Sequence, residues 1–173
     1  PVTEFDEIMM SASGSGFHDA KPEPTGYLNY WGYGPSYLYA VKSAYASHGE
    51  MSAECEFKTL VKELHKAGIE CIPEIYFTGK ELPGEILSVL RYWAEEYHVD
   101  GFHLSGFPDL SLAAEDPFLR RTKLFAENWN EVMNRRPKQG YITPGDGVVS
   151  VEEKNLAEYN MQFMEDMRRF LKG

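Results

Sequence analysis

Between residues 53 and 67 the apolar side chains recur at helical spacing. Phe57, Leu60, Val61 and Leu64 fall at i, i+3, i+4 and i+7, and Gly68 supplies the stop. The apolar run Cys71-Ile72-Pro73-Glu74-Ile75-Tyr76-Phe77 reads as a buried strand, in which Pro73 removes one ladder donor. A second helix is predicted over 83–98, with Ile86, Leu90, Trp93 and Tyr97 on one face and Leu87 and Ala94 beside it. Residues 99–105 predict the next strand, 109–119 a short helix and 123–127 a third strand. Residues 129–149, punctuated by Pro137, Gly140, Pro144, Gly145 and Gly147, predict a loop. A last helix is expected from Ser150, where Ser150 and Glu153 spell the S-x-x-E capping box. Leu156, Tyr159, Phe163, Met167 and Phe170 then form a stripe that reads as core rather than as a cofactor site.

Residues 1–50 differ. They are rich in Gly, Ser, Pro and Tyr with no sustained period, and read as a long ordered loop with short turns. The whole order is loop, helix, strand, helix, strand, helix, strand, helix. Such alternation implies parallel strands joined by crossover helices within one domain spanning residues 1–173, with the β/α units in 51–173. No glycine-rich phosphate loop follows any strand, so a nucleotide-binding fold has no support. No internal repeat is evident.

Length and charge narrow the function. The 173 residues are enough for one hydrophobic core but too few for a complete (β/α)₈ barrel, which needs about 250. The formal charge of -10 repels phosphate backbones and anionic bilayers, which argues against nucleic-acid and membrane partners, while a neutral polysaccharide would not be repelled. Aromatic residues reach 14%, and such rings stack on sugars, although most should be core. Two cysteines, Cys55 and Cys71, make no disulfide framework, and no metal-ligand spacing is present. No cofactor or metal is therefore expected, and a reduced, cytoplasmic protein is. There is no signal peptide and no apolar run near 18 residues. Pro1 opens the chain inside what reads as the end of a structured element, so the chain is expected to be cut from something longer.

Six segments, in order, carry a resemblance. They are Pro1-Val2-Thr3-Glu4-Phe5-Asp6-Glu7; Asn29-Tyr30-Trp31-Gly32-Tyr33-Gly34-Pro35; Glu56-Phe57-Lys58 through Leu64-His65-Lys66-Ala67-Gly68-Ile69; Leu90-Arg91-Tyr92-Trp93 through Tyr97-His98-Val99-Asp100-Gly101-Phe102; Ala126-Glu127-Asn128-Trp129; and Glu158-Tyr159-Asn160 through Arg168-Arg169-Phe170. Together they resemble glycoside hydrolase family 13, in particular its isoamylase, pullulanase and glycogen-debranching members. The family's counterparts include N-Y-W-G-Y-D-P, A-E-P-W and W-N-x-x-F-x-D-x-x-R-R-F. The resemblance implies a partial (β/α)₈ barrel of about strands three to five, whose open edges invite self-association.

The resemblance also implies a site with its nucleophile missing. Retaining glycosidases use two carboxylates about 5–5.5 Å apart. The family nucleophile is the Asp of G-F-R-F-D, where this chain reads Gly101-Phe102-His103-Leu104-Ser105. Ser105 therefore stands at the nucleophile position and His103 at the neighbouring arginine. A serine hydroxyl, neutral at pH 7, supplies neither an attacking carboxylate nor a stabilising charge. A Ser-His hydrolase reading fails as well, because no nucleophile elbow or orienting acid accompanies Ser105. Glu127 matches the acid/base, or survives as an ordinary polar residue at a strand end. Asp100 lies at the wrong end of its strand to replace the nucleophile, whereas Asp109 lies in the loop above.

The third-strand motif D-V-V-Y-N-H reads Glu74-Ile75-Tyr76-Phe77-Thr78-Gly79, so the substrate-binding His is Gly79 and the Asn is Thr78. The long insertion that usually follows is reduced to about six residues before the next helix. Tyr33 matches a tyrosine that stacks on sugar at the cleavage subsite, with Tyr30 and Trp31 beside it; these rings either contact a glucan or pack the loop. The implied function is a degenerate, catalytically inactive α-glucan-related protein. Its rivals are a divergent hydrolase using Glu127 and an interaction module without a sugar site.

Overall fold

The computed structural model describes residues 1–10, 24–47, 49, 51–106, 108–110, 112–126 and 155–172. The N-terminal stretch is more regular than its composition implied. It holds four short strands, β1 (Thr3–Phe5), β2 (Ile8–Met10), β3 (Pro24–Leu28) and β4 (Ser36–Val41). β1 pairs with β4 and β2 with β3, both antiparallel and both with a register irregularity. Strands this short, interrupted in register, leave no alternation long enough to read from sequence, which is why the segment looked like loop.

The α/β part follows. Helix α1 (Ala53–Lys66) begins at Ser52, whose side chain accepts from the Cys55 N–H at 3.4 Å, and closes at Gly68 with φ +72°. Strand β5 (Glu74–Phe77) leads to helix α2 (Pro83–Tyr97), which starts on a proline at its first turn and ends on left-handed His98. Strands β6 (Gly101–Gly106), β7 (Lys123–Ala126) and β8 (Leu156–Glu158) complete a four-stranded parallel sheet in the order β5-β6-β7-β8. Pro73 has no N–H to give but still accepts from the His103 N–H at 2.9 Å. On the β5 side, the Val2 N–H donates to the Glu74 carbonyl at 2.9 Å and carries the ladder toward β4. Four parallel strands with flanking helices make an α/β architecture compatible with part of a (β/α)₈ barrel.

Two further expectations are corrected. Residues 156–158 form a strand, not helix, and the last helix, α3, spans Met161–Lys172. Its start is capped by Asn160, whose side chain accepts from the Phe163 N–H at 2.9 Å. Leu156 and Tyr159 matched helical spacing by coincidence; pairing with β7 and burial of Leu156 decide the state. The capping box at Ser150 and Glu153 and the loop over 129–149 lie outside the described residues. Within 109–119 the predicted helix is replaced by two 3₁₀ turns, Ala113–Glu115 and Phe118–Arg121. Asp116 holds the second, accepting from the Phe118 and Leu119 N–H groups at 3.1 Å while paired with Arg91.

Alternation along the sheet separates two faces. Ile75, Phe77, Phe102, Leu104, Leu124, Ala126 and Leu156 are buried in one core with Ile86, Val89, Leu90, Trp93 and Tyr97 of α2. The Trp93 indole N–H donates to the Leu38 carbonyl at 2.7 Å, so the largest core side chain also ties α2 to β4. The opposite face carries Glu74, Tyr76, His103, Ser105, Phe125 and Ala157. Among the described residues no helix is long and apolar enough to cross a membrane.

Candidate functional site

The polar face of the sheet gathers the candidate residues. His103 and Ser105 lie two apart on β6 and so project the same way. Parallel register sets Glu74 beside His103 and Tyr76 beside Ser105. Ser105 is only 6% exposed, and its hydroxyl has no hydrogen-bond partner. His103 Nε2 and Glu74 Oε1 are likewise buried without a hydrogen bond, although His103 Nδ1 sits 3.7 Å from Glu74 Oε1. The His103 ring meets the Tyr159 ring edge-on, with centroids 5.5 Å apart. Buried polar atoms are nearly always satisfied in folded proteins, and these three on one face have no hydrogen bond among the described residues.

The connection from β3 to β4 brings the Tyr33 ring to this end of the sheet. The Gly32 N–H donates to the Asn29 side-chain oxygen at 3.1 Å, closing a tight turn. Gly32 has φ +73°, and a Cβ there would stand 2.4 Å from the Phe5 ring, so no other residue fits the turn. Tyr30 and Trp31 meet edge-on at 5.1 Å and are 79% and 67% exposed. Tyr33 is 46% exposed, and its ring packs on Tyr76 with centroids 5.2 Å apart. Tyr30 and Trp31 stand out into solvent on the turn.

β1 and β4 are held by a buried cation. Lys42 is 3% exposed, and its ammonium reaches Glu4 Oε1 at 2.7 Å, the Phe5 carbonyl at 3.0 Å and Glu7 Oε1 at 3.3 Å. Burial alone would raise the Glu4 carboxyl. Hydrogen bonds from Lys42 and Ser43 and the attraction of the Lys42 charge outweigh it and hold the group at about 2, against an ordinary 4.5. The Glu7 carbonyl accepts from the Asn29 N–H at 2.8 Å, which links this anchor to the turn bearing Tyr30, Trp31 and Tyr33.

Thr78 is tied to the connection that follows β5. Its hydroxyl and N–H donate to Glu81 Oε1 at 2.8 and 3.2 Å, and the Gly79 and Lys80 N–H groups donate to Oε2 at 3.0 and 3.1 Å. Burial raises the Glu81 carboxyl, but these donors prevail and leave it below the usual range. Glu81 thereby closes the short connection from β5 to α2 on itself. Asp100 is confirmed at the opposite end of β6, where it accepts from the Cys71 N–H at 2.7 Å and pairs with His65 at 2.8 Å. Asp109 is exposed beyond the C-terminal end of β6. Glu127 lies outside the described residues.

Sequence reasoning missed Glu74, Tyr76 and Tyr159 as members of this cluster. The period-2 alternation of β5 around buried Ile75 and Phe77 held the signal for the first two, whereas Tyr159 follows a strand that helical spacing concealed.

No protein-family model matches the chain. Curated relatives do. The chain is 28% identical to isoamylase 3, chloroplastic, of Oryza sativa subsp. japonica, over 100% of this chain and 28% of the relative. It is 28% identical to a glycogen debranching enzyme of Serratia proteamaculans, over 88% of this chain and 31% of the relative. It is also 28% identical to a glycogen operon protein GlgX homolog of Haemophilus influenzae, over 89% of this chain and 30% of the relative. The chain thus spans less than a third of the length of these relatives. With the parallel sheet and its flanking helices, these similarities make isoamylase and glycogen-debranching enzymes homologues of the chain.

Proposed function

We propose that the chain is an α-glucan-binding relative of debranching enzymes that does not itself cleave glycosidic bonds. The observation that carries this reading is Ser105, a buried neutral hydroxyl at the C-terminal end of β6 where retaining hydrolysis requires a carboxylate. Active sites of (β/α)₈ enzymes are built at the C-terminal ends of the strands, which is where Ser105 stands. Glu74 does not substitute for it. Its register partner is His103, two residues deeper, or about 6–7 Å along the strand. In this reading Glu127 occupies the acid/base position, and His103 stands in place of the arginine beside the nucleophile. Tyr33 and Trp31 contact the glucan, helped by Tyr30.

A glycogen-like or starch-like polymer suits the surface: it is neutral, so the charge of -10 does not oppose its approach, and exposed rings offer stacking faces. The test pairs hydrolysis with binding. Reducing-sugar release from pullulan and glycogen should be absent in the natural protein, while co-sedimentation with glycogen should weaken about tenfold in Trp31→Ala and Tyr33→Ala, the worth of roughly 1.4 kcal/mol. Release of reducing sugar that stops in Glu127→Gln would sink the inactive reading and favour a divergent hydrolase drawing on Asp109 or a carboxylate from elsewhere. Glycogen binding indifferent to both ring removals would favour an interaction module.

A further inference from the structure

We propose that Tyr76 is a built-in plug, its ring occupying the space between Tyr33 and Ser105 that a sugar ring would take. The inference rests on the glucan-binding reading and adds to it a reason the interior subsite is closed. Tyr76 lies on the polar face of the sheet, opposite to buried Ile75 and Phe77, and its register partner is Ser105. Its ring stacks on Tyr33 at 5.2 Å with the planes 38° apart, so one face of Tyr33 already has an aromatic partner. The same ring leans over the end of β6: a Cβ on Gly106 would stand 2.9 Å from Tyr76 Cε2. At the neighbouring register position the Ser105 hydroxyl is buried without a hydrogen-bond partner.

A sugar ring brings both an apolar C–H face and hydroxyls. It would stack on Tyr33 and give Ser105 the hydrogen bond it lacks, whereas a phenol ring in that position supplies only the stack. The plug therefore has a recognisable imperfection: it satisfies the aromatic partner and strands the hydroxyl. Tyr30 and Trp31, exposed on the turn, are untouched by it and Tyr33 keeps an exposed side, so a long polymer can be held on these outer surfaces while a short oligosaccharide finds the interior closed.

The experiment measures maltotriose affinity by calorimetry for the natural protein and for Tyr76→Val, Tyr76→Leu and Tyr76→Phe, with folding followed by thermal unfolding. A nuclear Overhauser contact between the Tyr33 and Tyr76 rings is sought in the natural protein. Glycogen co-sedimentation is run alongside. Tyr76→Val and Tyr76→Leu should each bind maltotriose at least tenfold more tightly, and adding Tyr33→Ala should remove the gain. Tyr76→Phe, which keeps the ring, should stay at the natural affinity. Absence of the ring contact, or equal maltotriose affinity in the folded Val and Leu variants, overturns the plug. If glycogen still binds in that case, the glucan-binding reading survives alone. If neither glycogen nor maltotriose binds to any form, that reading fails and the plug with it.

Discussion

Replacing Glu4 by Gln removes one charge from the anchor between β1 and β4 while keeping the shape of the side chain. The folded carboxyl sits at about 2 and its ordinary value is 4.5. By linkage, a carboxyl depressed on folding contributes stability that is complete above its unfolded value and is lost as pH falls through the folded one. The gap corresponds to about 3 kcal/mol at neutral pH. Glu4 is 23% exposed in its side chain and Lys42 4%, so solvent screening removes little of this. The substitution also leaves a buried ammonium with only the largely exposed Glu7 as counter-charge. In a chain of this size about 3 kcal/mol lowers Tm by roughly 6–12 °C. The assay is urea unfolding of the natural protein and Glu4→Gln at several pH values. The difference should be about 3 kcal/mol at pH 7, begin to shrink below about pH 5 and be mostly gone near pH 2. A difference below about 1 kcal/mol at pH 7, or one that does not change between pH 7 and pH 3, would refute the reasoning.

Asp116→Ala removes three interactions from a 7%-exposed carboxylate and should destabilise by about 3 kcal/mol in the same unfolding assay, with Asp116→Asn costing less because it can still accept from the 3₁₀ turn. Gly106→Ala should cost at least 1–3 kcal/mol, since φ is +84° and the new Cβ would meet the Phe77 carbonyl at 2.1 Å; a neutral result by thermal unfolding would mean that the end of β6 has another conformation. Trp93→Phe should lose the hydrogen bond to Leu38 and open a cavity, lowering stability by about 2–3 kcal/mol. The outer edge of β8 has no strand partner among the described residues, and Phe163 and Phe170 of α3 are exposed, so light scattering should report concentration-dependent self-association; a monodisperse monomer at high concentration would count against it.

Helices α1 and α2, strands β5, β6 and β7, and the alternation that makes their sheet parallel can all be read from the chain's pattern of apolar positions. Helices α1 and α2 were legible because each carries a sustained apolar stripe and a clear stop at Gly68 or near His98. That Ser105 stands near the end of a strand was equally legible, since the run from Val99 to Ser105 reads as one. Tertiary structure decided the rest. The antiparallel ladders within residues 1–50 are too short for a period, and they hold because Lys42 is buried against Glu4 and Glu7, contacts that span more than thirty residues. Residues 156–158 fit a helical stripe equally well until β7 offered a partner, and a strand that gains ladder bonds and buries Leu156 prevails over local spacing. The meeting of Tyr33 with Tyr76, and the register that sets Tyr76 beside Ser105, depend on the pairing of β5 with β6 and on a turn closed around Gly32, and no local pattern encodes either.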